Sequence, residues 1–157
     1  MARVPIQVLV LPYRYCANGG IEYAIFRRRD HAVACWQGVA GGVEEGESVA
    51  EAARREMTEE AAIPSDAPLL SLDAIASVPA SEFRERDLWG PDLYVVMEHA
   101  FGVCLDDGQA VTLSGEHTEY RWAPYGEAAK LLRWDSNRTA LWELNERLTR
   151  SHSVKRN

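Results

Sequence analysis

The chain has 157 residues, of which 46% are hydrophobic and 26% charged, a composition that suits one compact domain spanning residues 1–157. Its net charge of −7 and isoelectric point near 5.1 exclude a nucleic-acid-binding protein that covers phosphates with lysine and arginine, because such a surface is net basic. A chain this acidic needs another source of positive charge to handle phosphates, and a divalent metal ion supplies one.

The first predicted elements are two β-strands. The apolar runs Ile6–Leu11 and Ile21–Phe26 are separated by the turn-forming segment Asn18–Gly20, which predicts a hairpin. The first run ends at Pro12 and is too short for a secretion signal or a membrane-spanning helix, so no membrane association is expected.

The cysteines indicate the redox environment. Cys16, Cys35 and Cys104 are odd in number and match neither a CxxC zinc pattern nor a full disulfide set. We expect buried, reduced thiols in a cytoplasmic protein. The sequence leaves the oligomeric state open, with a homodimer as one alternative.

A helix is predicted from Ser48 to about Ala61, where alanine, glutamate, arginine and methionine dominate. Ser48 and Glu51, three residues apart, form a capping box at its start. Pro64 lies just beyond the predicted end, where a helix should stop.

The second half of the chain is expected to add further strands and two helices. The predicted strand segments are Leu93–Met97, Ala100–Val103 and Glu119–Trp122. A short helix at Glu127–Leu132 precedes a final amphipathic helix with apolar positions Leu141, Trp142, Leu144 and Leu148. Residues 150–157 are expected to form a disordered tail. This order of elements predicts an α/β domain with a mixed sheet sandwiched by helices.

Three glutamates on the first helix are the strongest chemical signal. Glu56, Glu59 and Glu60 stand at i, i+3 and i+4, so their carboxylates share one helix face and repel one another. A solvated acidic face is the plain interpretation, because charge runs on helices are usually solvated. A hard cation that prefers carboxylate oxygens is the alternative.

The residues around these glutamates resemble the Nudix box almost position for position. The pattern is Gly41, five residues, Glu47, seven residues, Arg55-Glu56-Met57, one residue, Glu59-Glu60, one residue, Ala62-Ile63. So many fixed positions at fixed gaps are unlikely by chance. The resemblance implies a Nudix-type α/β/α sandwich with a mixed β-sheet. Ala62 departs from the pattern, since the family has a glycine there that closes the helix in a left-handed conformation, and alanine costs about 1 kcal/mol.

The resemblance also implies a metal centre and a reaction. Mg²⁺, or alternatively Mn²⁺, is expected to be bound by Glu56, Glu59, Glu60 and the backbone carbonyl of Gly41. Arg55 and Glu47 resemble the family's internal pair, in which the arginine orients neighbouring carboxylates. The implied reaction is attack of water on one phosphorus of a diphosphate.

The sequence leaves two alternatives for the residue that acts as general base. One alternative is a glutamate of the box, Glu59, and the other is Glu116, which precedes the predicted strand at Glu119. Glu116 is alternatively a further metal ligand. Glu119 is the alternative to Glu116 in either role. His117 is expected to be solvated, because it lies in a polar loop.

Segments outside the box are similar to dihydroneopterin triphosphate pyrophosphohydrolases. They are Trp36-Gln37, Glu116-His117 with Tyr120–Trp122, and Trp134–Arg138. The expected substrate is therefore a nucleoside or pterin triphosphate that releases pyrophosphate. The expected substrate-binding residues are Trp36 and Trp134 for ring stacking, Arg28, Arg29 and Arg138 for phosphate oxygens, and Asn137. Each tryptophan is alternatively part of the core.

Two other functions remain open from the sequence. Pro79 lies close to where ADP-ribose pyrophosphatases of the family carry a proline, so a nucleoside diphosphate sugar is the alternative substrate. A nucleotide-binding domain without hydrolysis is the alternative of a different class, and the complete set of box glutamates opposes it.

Overall fold

The computed structural model describes residues 2–30, 33–106 and 108–155, and these form seven strands and four α-helices. In chain order they are β1 (Arg3–Tyr15), β2 (Ile21–Arg28), β3 (Trp36–Gln37), β4 (Val39–Glu44), α1 (Val49–Ala61), β5 (Leu69–Pro79), α2 (Arg86–Trp89), β6 (Val95–Cys104), β7 (His117–Pro124), α3 (Tyr125–Leu131) and α4 (Asp135–Lys155). A 3₁₀ turn, Ala80–Glu82, lies between β5 and α2.

The strands form one mixed sheet in the order β3-β2-β1-β6-β5, with β4 also pairing with β1 and β7 with β2. β1 organises this sheet, because it pairs antiparallel with β4 and parallel with β6, and its last residues pair antiparallel with β2. The predicted hairpin is confirmed, with Tyr13 opposite Tyr23. The parallel β1–β6 pair makes the sheet mixed, as predicted.

Helices cover both faces of the sheet. Successive residues of β1 point to opposite faces, so Val8 belongs to a core cluster with Met57 of α1, whereas Leu9 belongs to a second cluster with Leu144 of α4. α3 contributes to the second cluster through Ala128. The predicted α/β/α sandwich with a mixed sheet is confirmed.

Some elements differ from the sequence-based expectations. The segments 93–97 and 100–103 join into the continuous strand β6. The sequence does not indicate β4, because Ala40, Gly41 and Gly42 have low strand propensity, and β5 is likewise missed.

The last helix also departs from its prediction. Trp142 is 52% exposed and does not belong to the buried face of α4. α4 continues to Lys155, past residue 150, where a tail is predicted.

The lengths of the helices and the exposure of the cysteines bear on the membrane and redox expectations. None of the described helices is long and apolar enough to cross a membrane. Cys35 is buried as predicted, whereas Cys16 and Cys104 are partly exposed, because they lie at or just beyond the ends of strands.

Ala62 closes α1 in the left-handed conformation that the box glycine would provide. Its φ is 56° and its ψ is 31°, and its backbone N–H donates to Thr58 O at 3.0 Å. The bond from Ala62 to Thr58 is that of an αL-type helix end, and the next N–H, of Ile63, donates to Met57 O at 3.2 Å. The helix therefore ends as a glycine would end it, at the energetic cost of a left-handed alanine.

Ala62→Gly is expected to raise the free energy of unfolding by about 1 kcal/mol, because glycine adopts this conformation without a Cβ clash. Denaturant unfolding measures the change. Ala50→Gly, at an exposed position in the first turn of α1, is the matched control and should lower stability by up to about 1 kcal/mol. Equal destabilisation by both glycines would contradict the assigned conformation.

Glu143 connects α4 to β5 through hydrogen bonds. Its two carboxylate oxygens accept hydrogen bonds from the backbone N–H groups of Asp73 and Ala74, each at 2.7 Å. The β5–β6 register shifts at these residues, so the carboxylate satisfies donors that the ladder does not.

Burial alone would raise the pKa of Glu143, but hydrogen bonds from Asp73, Arg147 and Ala74 outweigh it and hold the pKa below the ordinary value of 4.5. A lowered folded-state pKa stabilises the protein above that ordinary value, and the stabilisation is lost as pH falls through the folded-state pKa.

Glu143→Gln is expected to lower the free energy of unfolding by about 1 kcal/mol near neutral pH, because one of the two backbone N–H groups loses its acceptor. The difference from the parent should shrink in acid, as measured by urea unfolding across pH. Glu146→Gln removes a more exposed pair with Arg150 and should change stability by roughly 0.5 kcal/mol or less. A deficit that does not vary with pH would show that the carboxylate charge is not the cause.

Candidate active site

Three carboxylates converge on one face of α1. Ligand atoms of Glu56, Glu59 and Glu60 all lie within 4.8 Å of one another. Glu56 and Glu60 are only 8% and 7% exposed, whereas Glu59 faces solvent. Two of the three acids are therefore buried, which a solvated acidic face does not explain.

Gly41 makes room for this cluster. β4 places Gly41 opposite Val8 of β1, and a Cβ built on Gly41 would overlap the Glu56 carboxylate group. Any side chain at position 41 would therefore displace Glu56. The glycine lets the β4 backbone and the buried carboxylate approach closely.

Arg55 connects the cluster to the loop before α1. Its guanidinium donates to both carboxylate oxygens of Glu47, at 2.7 and 3.0 Å, and to the Gly42 carbonyl at 2.7 Å. It also donates to Glu56 at 2.8 Å and to Glu59 at 3.3 Å. One fork of donors thus fixes both the strand β4 and the acidic face of α1.

The two buried acids hold their protons more tightly than ordinary glutamates. Burial raises the pKa of Glu56 to about 7, although the Arg55 hydrogen bond opposes the rise. Burial also raises the pKa of Glu60, against a hydrogen bond from Ser114. By contrast, the hydrogen bond from Arg55 lowers the pKa of Glu47. A cation bound among these oxygens would favour their ionised forms, so the donor set fits a hard divalent ion.

The segment before β7 is attached to the end of α1. Ser114 N–H donates to Glu60 O at 3.2 Å, and its hydroxyl donates to the Glu60 carboxylate. Glu116 follows, with Oε2 at 4.0 Å from Arg28 Nη1. These contacts place Glu116 at the acidic cluster, although it is distant from Glu56, Glu59 and Glu60 in the sequence.

His117 differs from its prediction. It begins β7, is 3% exposed, and its ring centroid lies 5.4 Å from that of Phe26, so it packs in the interior instead of the solvent. Burial lowers the pKa of His117. Within the described residues neither ring nitrogen has a hydrogen-bond partner.

A cleft of about 540 Å³ runs from the acidic cluster across the sheet to the start of α4. Glu56, Gly41, Glu116 and Arg28 lie at one end. Trp134, just before α4, and Ser136 and Asn137 in its first turn line another part, and Val78 and Phe83 form part of the wall. One continuous space therefore joins a cluster of carboxylates to a partly aromatic pocket.

The structure brings three predicted substrate-binding residues to this cleft and leaves three outside it. Arg28, Trp134 and Asn137 line it. Trp36 does not, because it is buried in the core with α3 and α4. Arg29 turns to the Gly115 carbonyl, at 2.9 Å.

Arg138 is also absent from the cleft lining. Its guanidinium donates to the carbonyls of Leu132 and Arg133, at 2.7 and 3.2 Å, and pairs with Asp135. The side chain therefore holds the connection between α3 and α4. Glu119 likewise pairs with Arg27, at 3.1 Å, and does not line the cleft.

The sequence does not indicate several lining residues, among them Gln7, Gln37 and Glu98, of which Gln37 and Glu98 are buried. Gln37 follows Trp36 on β3 and accepts a hydrogen bond from Trp134 Nε1 at 3.2 Å. Glu98 was detectable as a charge in the middle of an apolar strand, because a buried charge is rarely placed there without a function.

Comparisons with known proteins agree with this geometry. The NUDIX domain family model matches residues 17–142. A dihydroneopterin triphosphate diphosphatase from Escherichia coli strain K12 is 33% identical over 139 residues, which cover 87% of this chain and 89% of that protein. An RNA pyrophosphohydrolase from Roseobacter denitrificans is 44% identical over 64 residues, which cover 38% of this chain and 40% of that protein.

Solved structures extend the likeness to the whole fold. A NUDIX hydrolase from Listeria monocytogenes superposes with a TM-score of 0.83 at 42% identity, covering 94% of this chain and 97% of that one. The Escherichia coli dihydroneopterin triphosphate pyrophosphohydrolase superposes with a TM-score of 0.75 at 28% identity, covering 92% and 99%. The chain belongs to the Nudix family and is a pyrophosphohydrolase.

Proposed function

We propose that the chain hydrolyses a nucleoside or pterin triphosphate to a monophosphate and pyrophosphate, with dihydroneopterin triphosphate as the leading substrate. The observation that carries this proposal is the single cleft that joins the glutamate cluster to a pocket beside Trp134. A triphosphate extends from a flat ring, so one molecule can place its ring in the pocket and its phosphates at the carboxylates.

The proposal assigns the metal site to Glu56, Glu59, Glu60 and the carbonyl of Gly41. Mg²⁺ suits these oxygen donors, and Mn²⁺ is the alternative. When bound, the ion neutralises phosphate oxygens and lowers the pKa of water. Arg55 acts as a positioning residue by holding Glu56 and, through Glu47, the loop before α1.

Glu116 is the proposed general base, which accepts the proton of the attacking water. It lines the cleft, as Glu56 does, and unlike Glu59 it is not needed as a ligand in the proposed metal site. Arg28 lies at 4.0 Å from Glu116, and it is also placed to meet a phosphate oxygen at the same end of the cleft.

Glu116→Gln is expected to lower kcat by about 10²- to 10⁴-fold, the usual range for loss of a general base. Steady-state kinetics at saturating Mg²⁺ measures the loss.

Glu119→Gln is the matched control, because this carboxylate pairs with Arg27 outside the cleft, and its kcat should stay at the parent value. Glu59→Gln separates the remaining alternative. A loss of kcat at saturating Mg²⁺ in Glu59→Gln together with a parental kcat in Glu116→Gln would transfer the base assignment to Glu59.

A substrate screen with Mg²⁺ tests the proposed function. The panel contains dihydroneopterin triphosphate, GTP, ATP and ADP-ribose, with orthophosphate and pyrophosphate detected separately. ADP-ribose is included because Pro79 ends β5 next to Val78 of the cleft wall. Pyrophosphate release from a triphosphate is expected. Turnover of ADP-ribose alone, giving AMP, would replace the triphosphate with a nucleoside diphosphate sugar.

A further inference from the structure

Glu98 is a buried carboxylate outside the glutamate cluster. It lies on β6, between Gln7 of β1 and Ala76 of β5, and is 5% exposed. Gln7 Nε2 donates to it at 3.2 Å. Burial raises the pKa of Glu98, opposed by hydrogen bonds from Gln7 and Ser136. In the described part of the chain, the groups that act on its carboxylate are the neutral side chains of Gln7 and Ser136.

Burial of a carboxylate at position 98 lowers the stability of the fold. A buried carboxylate without a cation loses hydration that two neutral hydrogen bonds only partly replace, and an apolar residue would be better tolerated there. A carboxylate has about four acceptor sites, so two protein donors leave capacity for two more. Glu98 thus has acceptor capacity that the fold does not use.

The Glu98 carboxylate borders two open spaces in the structure. Glu98 lines the main cleft, and with Ser136 it also lines a contiguous cavity of about 260 Å³. Trp134, Val78 and Phe83 line the same cleft, and their side chains suit the faces of a flat ring. The carboxylate therefore lies where the edge of a heterocycle would reach the sheet.

Gln7 is held in one orientation beside Glu98. Its Oε1 accepts from Arg3 Nη2 at 2.6 Å, which leaves its amide N–H group to donate to Glu98. Arg3 is itself fixed over the ring of Phe83, at 5.1 Å from the centroid. This chain of contacts presents the carboxylate as an acceptor, with its geometry set before a ligand binds.

We propose that Glu98 is the specificity residue for the heterocycle, accepting hydrogen bonds from a ring N–H and an adjacent exocyclic amino group. Pterins and guanine carry this pair of donors on one edge. Adenine carries a ring nitrogen lone pair next to its amino group, which a carboxylate repels. The inference rests on the proposed function, since it assigns the part of the substrate remote from the phosphates.

Equilibrium binding tests this assignment without turnover. Kd values are measured by calorimetry with Mg²⁺ for the α,β-methylene triphosphate analogues of guanosine, inosine and adenosine. The parent protein should prefer guanine to adenine by about 100-fold, with inosine between them because it lacks the amino group. Equal affinity for guanine and adenine in the parent would overturn the proposal without any variant.

Glu98→Gln should remove most of the preference, because an amide presents one acceptor and one donor and pairs as well with adenine. Glu82→Gln, an exposed carboxylate lining the same cleft, is the matched control and should keep it. Weaker binding of all three analogues by one factor would assign Glu98 a structural role. Selective guanine binding that depends on Glu98, without hydrolysis of any triphosphate, would defeat the proposed function and leave this inference standing.

Discussion

Glu60→Gln is expected to lower kcat by on the order of 10³-fold or more while the protein stays folded. Glu60 is one of the two buried carboxylates of the cluster, and its ligand atom lies within 4.8 Å of those of Glu56 and Glu59. The amide keeps the shape and the Ser114 contact but removes the charge that would hold a divalent ion. Steady-state kinetics at saturating Mg²⁺, with circular dichroism for the fold, measures the effect.

Glu51→Gln provides the matched control on the same helix. Glu51 is an exposed carboxylate in the first turn of α1, away from the cluster, so kcat should be unchanged. Near-parental activity of Glu60→Gln at saturating Mg²⁺ would refute the proposed ligand set. An inactive parent that still binds nucleotide would instead support a non-catalytic domain.

Arg55→Ala is expected to lower the free energy of unfolding by about 3 kcal/mol and kcat by about 10- to 100-fold. The truncation leaves Glu47 and Glu56 without their shared cation, in positions where both side chains are largely buried. It also removes the donor to the Gly42 carbonyl, which fixes β4. Urea unfolding and steady-state kinetics on one preparation separate the two losses.

Two variants distinguish position from charge. Arg55→Lys keeps the charge without the fork of donors, so intermediate losses are expected. Arg54→Ala removes contacts to the Ser65 and Ala67 carbonyls beyond the helix, and should affect stability but not kcat. A parental kcat in Arg55→Ala would remove the positioning role.

The sequence predicts the part of the site that is local in the chain. Glu56, Glu59 and Glu60 meet because they lie on adjacent turns of one helix, and Arg55 reaches Glu47 across the short loop before it. Helical spacing determines such proximity without knowledge of the rest of the fold. The prediction of α1 follows from the same local rules, whereas the left-handed end at Ala62 is a finding of the structure.

The cleft is harder to predict because it depends on pairing between distant strands. Gln7 and Glu98 become neighbours only through the parallel β1–β6 register. On β3, the sequence leaves Trp36 open as a stacking residue or a core residue, and the strand turns its ring into the core while Gln37 lines the cleft. Adjacent residues of a strand point to opposite faces, and a strand of only two residues gives no pattern from which to predict which of them faces the core.

Product analysis of dihydroneopterin triphosphate by phosphorus NMR tests the central claim most directly. With Mg²⁺ we expect pyrophosphate and the pterin monophosphate in equal amounts, and no reaction after chelation of the metal. Release of orthophosphate, or unchanged turnover in the presence of chelator, would contradict the proposed metal-dependent cleavage at the glutamate cluster.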